Sequence, residues 1–273
     1  MVNSTLTVQD ILPGSSSKKT GKKIIFMDSL LPFFLLPILL LVATISRAIT
    51  ITVMVIIGMA ALYVNSRPKQ KNRSSFFASW TVSSIICMFL VFENQILGYL
   101  EITQLENFIF LVLFFCTIFC FYKVKAIAEF ELATGTSKGK EYSPVLTADS
   151  HYCQICQIEV NERFFHSIWF DCCVLKPNYM YFLVGQILAF ATILVGTNLG
   201  LTTVCQPFIF YGPILLPNDC DDVYFDIGIA LSFVTCVYGL GYLLVISLVL
   251  LRQLVIYIPK YKGLHCRKMA NVI

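Results

Sequence analysis

Residues 227–251 read IGIALSFVTCVYGLGYLLVISLVLL, and residues 179–204 read YMYFLVGQILAFATILVGTNLGLTTV; neither stretch carries a charge. A helix needs about 20 apolar residues to cross roughly 30 Å of hydrocarbon, so each is long enough for one membrane span. The whole chain shares this character, with 57% hydrophobic and only 13% charged residues in 273, a balance that excludes an ordinary soluble domain. Working outward, residues 29–64 are too long for one upright span, and Arg47 between Ser46 and Ala48 divides them at a tight hairpin. Residues 76–92 and 107–122 supply a third and a fourth span. In lipid the backbone must satisfy its own hydrogen bonds, and there is no train of alternating ten-residue strands for a barrel. The expected fold is therefore an all-α polytopic membrane protein of about six transmembrane helices.

Basic residues accumulate in short cytoplasmic loops. With the N-terminus in the cytosol, Lys18 to Lys23, Arg67 to Arg73, Lys123 to Lys176 and Arg252 to Lys268 all fall on one side, and Arg47 alone falls on the other. The opposite face receives Glu101, Glu106, Asp219, Asp221 and Asp222. Both termini are expected to be cytosolic, and the sequons at Asn3 and Asn72 to stay unmodified. The net charge of +4 is accounted for by orientation and by anionic headgroups, with no nucleic-acid partner implied. A signal peptide with Lys18 to Lys23 as leader is disfavoured, because its apolar region runs straight into a second span.

The expected organisation is a cytosolic tail (1–28), four spans (29–122), a cytosolic linker and cysteine-rich domain (123–178), two spans with a lumenal loop (179–251) and a cytosolic tail (252–273). The linker is Gly/Ser/Lys-rich around residues 133–143. No internal repeat, phosphate-cradling glycine loop or His-Glu-x-x-His helix occurs, and the spans are not lined with charge, which weighs against a channel or transporter. Glu93 and Asp226 are the intramembrane ionisable candidates, and both lie within about a turn of a boundary.

Eleven cysteines sort by compartment. Cys87, Cys116, Cys120 and Cys236 lie in spans and read as packing residues. Cys205 and Cys220 form the lumenal pair, a candidate disulfide. Cys153, Cys156, Cys172 and Cys173 lie in the cytosolic segment, and Cys266 in the cytosolic C-terminal tail. Cys153-x2-Cys156, then His166 after nine residues and Cys173 after six more, offer three thiolates and an imidazole, a set that suits one tetrahedral zinc ion. His151 and Cys172 compete as ligands.

This segment resembles the cysteine-rich domain of the DHHC-type protein palmitoyltransferases. In that family it reads Cys-x2-Cys, nine residues, His-Cys-x2-Cys-x2-Cys, four residues, Asp-His-His-Cys, then a further Cys five residues on. Cys153, Cys156, His166 and Cys173 match the four ligands of the first of the family's two zinc sites. Val174-x-Lys176 resembles the family's Val-x-Arg. The resemblance implies a zinc-bearing domain on the cytosolic face of a helical bundle, here between the fourth and fifth spans. It also implies acyl-coenzyme A as ligand, and membrane lipids, substrate proteins or an active relative as partners. The endoplasmic reticulum or Golgi membrane is the expected location.

The departures fall on the chemistry. Ser167 and Phe170 stand at two ligand positions of the second zinc, Ile187 stands at the later one, and the Asp-His-His-Cys tetrad is replaced by Asn178-Tyr179-Met180-Tyr181. The family's Asp-Pro-Gly and Thr-Thr-x-Glu motifs are also missing, the latter region reading Tyr257-Ile258-Pro259-Lys260. In the family the tetrad cysteine carries the acyl group as a thioester before passing it to a protein cysteine. Tyr181 occupies that position, and a phenol, protonated at neutral pH and without a neighbouring base, does not replace a thiolate. The expected function is a catalytically silent family member that binds lipid or protein. The alternatives are an acyltransferase using the displaced Cys172, and a channel or transporter.

Overall fold

The computed structural model describes residues 15–66, 75–97, 103–138, 150–153, 155–156, 158–205, 208–211, 214–217, 220 and 222–257. The sequon asparagines, the basic connection at 67–74, Glu101, the middle of the linker, Asp219, Asp221 and the C-terminal tail with Cys266 lie outside these residues.

The chain is mostly helical: α1 (Ser15–Ala43), α2 (Arg47–Ser66), α3 (Phe76–Val91), α4 (Gln104–Lys138), α5 (Lys176–Val204) and α6 (Ile227–Arg252). Four stretches are long and apolar enough to cross a membrane: Phe76–Ile96, Gln104–Ala133, Lys176–Val204 and Ile227–Ile256. Ser29–Ala43 and Arg47–Tyr63 are shorter apolar helices. The break between α1 and α2 falls at residues 44–46, beside Arg47. Helix α3 runs on through a π-turn, Phe92–Ile96.

Two sequence expectations need correction. The chain is not all-α, because three two-stranded antiparallel sheets interrupt the helices: β1 (Ser150–Cys153) with β2 (Ile158–Asn161), β3 (Arg163–Ser167) with β4 (Cys172–Leu175), and β5 (Phe208–Tyr211) with β6 (Ile214–Pro217). The strands are four or five residues long, too short to give a readable alternation. Nor does a linker begin near residue 133, since α4 continues to Lys138. Hydropathy marks where lipid can end, not where a helix ends. At 1.5 Å per residue the 35 residues of α4 span about 52 Å, well beyond the roughly 30 Å of hydrocarbon.

Polar pairs hold the bundle together where lipid supplies no hydrophobic drive between helices. Trp80 Nε1 donates to Tyr238 Oη at 3.0 Å, and Ser84 Oγ lies 2.8 Å from Tyr238 Oη and 3.0 Å from Tyr242 Oη. Ser83 Oγ donates to Pro32 O at 3.1 Å, so α1, α3 and α6 are tied at one level. Leu36, Leu40, Val53, Val234 and Tyr238 are buried around that network. Helices α5 and α6 approach closely at Gly200, where a Cβ would collide with Cys236 Sγ.

Asp226 caps α6, its Oδ1 accepting from Gly228 N at 2.7 Å and Ile229 N at 3.1 Å, an N-cap that accounts for this carboxylate structurally. Glu93 sits in the π-turn, and its Oε1 has no hydrogen-bond partner among the described residues. A disulfide joins Cys205, just past α5, to Cys220. Non-reducing electrophoresis of the purified chain should show a mobility difference on reduction that Cys205→Ser abolishes; identical mobility under both conditions would mean free thiols.

Candidate metal centre and the tetrad position

The pleat of the second hairpin decides which cysteine does what. Successive side chains of a strand point to opposite faces. In the β3–β4 register His166 faces Cys173 and Ser167 faces Cys172, so the first pair shares one face and the second pair the other. Cys153 ends β1 opposite Ile158. Cys156 lies in the turn that follows, its N–H donating to Cys153 Sγ at 3.5 Å. Two hairpin ends thus bring four donors together.

The ligand atoms of Cys153, Cys156, His166 and Cys173 all lie within 4.8 Å of one another. His166 Nδ1 is 3.8 Å from Cys153 Sγ, 3.5 Å from Cys156 Sγ and 3.6 Å from Cys173 Sγ, and the last two sulfurs are 3.6 Å apart. Around a tetrahedral zinc, with sulfur at about 2.3 Å and nitrogen at about 2.05 Å, the edges would be about 3.8 Å for two sulfurs and about 3.6 Å for sulfur to nitrogen. The cluster therefore has the dimensions and donor chemistry of a site that could hold zinc. Asp171, held at φ 47°, places its Oδ1 3.8 Å from His166 Nε2, a charge contact on the side of the ring away from the cluster.

The charges point the same way. Hydrogen bonds with Cys156 and Cys173 hold the Cys153 thiol well below its ordinary range, and the contacts with Cys153 and Cys156 push that of Cys173 up. Burial would lower the His166 pKa, but the hydrogen bonds to Cys153 and Cys156 outweigh it and raise it to about 9. Three thiolates this close together need a compensating cation.

Cys172 does not join the cluster. It lies 3% exposed in an apolar group with Val124, Ala128, Val174, Tyr179 and Phe182, against which Phe164, Phe165 and Phe170 pack. Burial pushes its thiol up to about 12, against the opposing effect of Lys125. Phe170, at a ligand position of the family's second zinc, packs tilted against Phe121 at 4.5 Å and meets Phe182 edge-on at 6.1 Å. Ser167 is buried on the same strand face as Cys172.

Asn178 has a role that residue types alone did not reveal. The tetrad position forms the first turn of α5, and Asn178 is fully buried there. Its Oδ1 accepts from Leu175 N at 2.7 Å, while its Nδ2 donates to Val124 O at 3.0 Å and Cys173 O at 3.1 Å. One amide thus joins α4, β4 and α5. The signal was present as Pro177-Asn178 directly after the strand, a first-turn proline beside a residue that bonds local backbone. Asn178→Ala removes three buried hydrogen bonds and should cost on the order of 2–4 kcal/mol. A lowered Tm in detergent would show it; an unchanged Tm would contradict the assignment. Tyr181, by contrast, is 40% exposed on the outer face of α5 with Met180, Val184 and Ile187. Trp169 meets Phe77 of α3 edge-on at 5.4 Å, a second tie between hairpin and bundle.

Residues 134–261 match the DHHC palmitoyltransferase family. The chain is also 30% identical over 112 residues to palmitoyltransferase ZDHHC23 of Homo sapiens, a match covering 38% of this chain and 26% of the relative. With palmitoyltransferase ZDHHC23 of Rattus norvegicus the identity is again 30%, over 38% of this chain and 25% of the relative. The match thus spans about a quarter of these relatives' length. No solved structure matches the chain. The family match runs from the end of α4 through α6 and encloses the four-donor cluster, so this part of the chain is similar to the DHHC palmitoyltransferase family.

Proposed function

We propose that this chain is a DHHC-family membrane protein that no longer transfers acyl groups and acts by binding lipids, substrate proteins or an active family member. The observation that carries this reading is that Asn178 to Tyr181 contain no thiol, while the neighbouring Cys172 is packed into an apolar cluster. A nucleophile must reach the thioester carbon in line, and a thiol closed in by Val124, Val174 and Phe182 has no such approach. One zinc ion on Cys153, Cys156, His166 and Cys173 serves as a structural cross-link between the hairpins, and the family's second zinc gives way to the packing around Phe170. Acyl-coenzyme A remains a candidate ligand without turnover.

The bundle is read as six spans, with α1 and α2 as a hairpin, both termini and the cysteine-rich domain cytosolic, in the endoplasmic reticulum or Golgi membrane. The lopsided basic residues support this. A glycosylation site engineered into residues 206–222 should be modified, while reporters at both ends stay cytosolic; a glycosylated N-terminal tail would overturn the arrangement.

The functional reading is tested by free coenzyme A release from palmitoyl-coenzyme A on the purified protein. No release above the protein-free rate is expected. Release stoichiometric with the chain and removed by Cys172→Ala would establish the alternative, an acyltransferase with a displaced nucleophile.

A further inference from the structure

Away from the cysteine cluster, at the end of the bundle where α5 runs out into the disulfide, α2 and α6 diverge around a cavity of about 390 Å³. That volume lies within the range of small-ligand sites. Arg47, Thr50, Ile51, Met54 and Val55 of α2 line one wall, and Phe233 and Val237 of α6 the other, with Tyr224 and Cys220 at the Arg47 end. The polar groups are gathered at that end. Thr50 Oγ1 lies 2.9 Å from Tyr224 Oη and donates to Ala43 O at 2.6 Å, fixing the α1–α2 turn against the segment before α6. Arg47 stands beside this pair, and everything deeper is hydrocarbon.

A cation at the mouth of an apolar slot between membrane helices has the polarity of an anionic amphiphile. Arg47 is also the basic residue that the distribution of Lys and Arg leaves alone on its side of the membrane, against the general bias. A guanidinium at headgroup depth pairs well with phosphate, often through two parallel hydrogen bonds. We infer that the groove between α2 and α6 holds an anionic membrane phospholipid, its phosphate on Arg47 and one acyl chain along Ile51, Met54, Val55, Phe233 and Val237. The inference rests on the membrane-spanning reading and not on the loss of catalysis, so the two stand or fall separately.

The test uses the full chain in nanodiscs of phosphatidylcholine containing a minor fraction of phosphatidylglycerol, with retained lipid counted by native mass spectrometry after transfer to detergent. The wild-type chain should retain one phosphatidylglycerol. Arg47→Gln should reduce that retention about tenfold or more, in line with the loss of a charge-assisted pair, and Arg47→Lys should recover part of it. Val237→Trp fills the slot with the cation in place and should abolish retention; if it does not fold, Ile51→Phe serves the same purpose. Added inorganic phosphate should not compete, because the chain supplies much of the binding. Equal retention in the wild type and Arg47→Gln, with both monodisperse, would overturn the assignment. So would preference for phosphatidylcholine, or displacement by free phosphate.

Discussion

Elemental analysis of the purified chain should return one zinc ion, and Cys173→Ser should lose it together with the order of the hairpins. Four donors at tetrahedral spacings link the two short hairpins to each other, while the apolar side of the second packs on α4 and α5. Structural zinc contributes about 10 kcal/mol or more in small modules, far more than two hairpins of this size retain without it. The neighbouring cysteine is the control. Cys172 faces the apolar side of the same strand, so Cys172→Ala should keep its zinc and suffer only the moderate cost of a small cavity. Limited proteolysis within residues 150–175 reports the difference: rapid cleavage is expected for Cys173→Ser and for protein treated with a chelator, and slow cleavage for Cys172→Ala. Two zinc ions per chain, none, or equal zinc loss in both variants would contradict the ligand set.

The membrane helices were legible because lipid imposes a simple rule, and uncharged runs such as residues 227–251 have few other readings. Their ends were less so. The long α4 crosses from an apolar face all round to an amphipathic one near Lys123, and Val124 and Ala128 continue as buried positions under the hairpin. A charge at that point looks like a loop in a hydropathy reading, although the helix only changes its solvent. The π-turns at Phe92–Ile96 and Gln253–Tyr257 carry no distinctive residue type and could not be read.

Within the cysteine-rich segment, spacing proposed Cys153, Cys156, His166 and Cys173 but could not choose between adjacent Cys172 and Cys173 on residue type alone. The strand pleat separates them, because one residue along a strand reverses the face. By residue type Asn178 is only the first position of the stretch that replaces the tetrad. Its three hydrogen bonds to Leu175, Val124 and Cys173 give the position a structural role. The placement of Asp171 beside His166 Nε2 depends on a left-handed backbone at that residue, a conformation that an aspartate permits but does not announce.

The larger functional effect concerns transfer itself. In the family reaction the acyl carbonyl moves from coenzyme A to the tetrad sulfur, with the coenzyme leaving as a thiol, and then to a protein cysteine. In the proposed reading Tyr181 stands in place of that sulfur and no acyl carrier is left; residues 178–181 contain no aspartate or histidine to activate a substitute. Cys172 is held in the apolar cluster, and the three other thiols of the segment lie in the four-donor cluster. The expected loss is therefore complete and not a matter of degree. The measurement that tests this most directly is hydroxylamine-sensitive incorporation of a labelled fatty acid from acyl-coenzyme A into the purified chain, alongside Cys172→Ala and Cys266→Ala. The account predicts no label on the wild-type chain and no transfer to a second protein. Label that Cys172→Ala eliminates, accompanied by transfer to a protein cysteine, would contradict it.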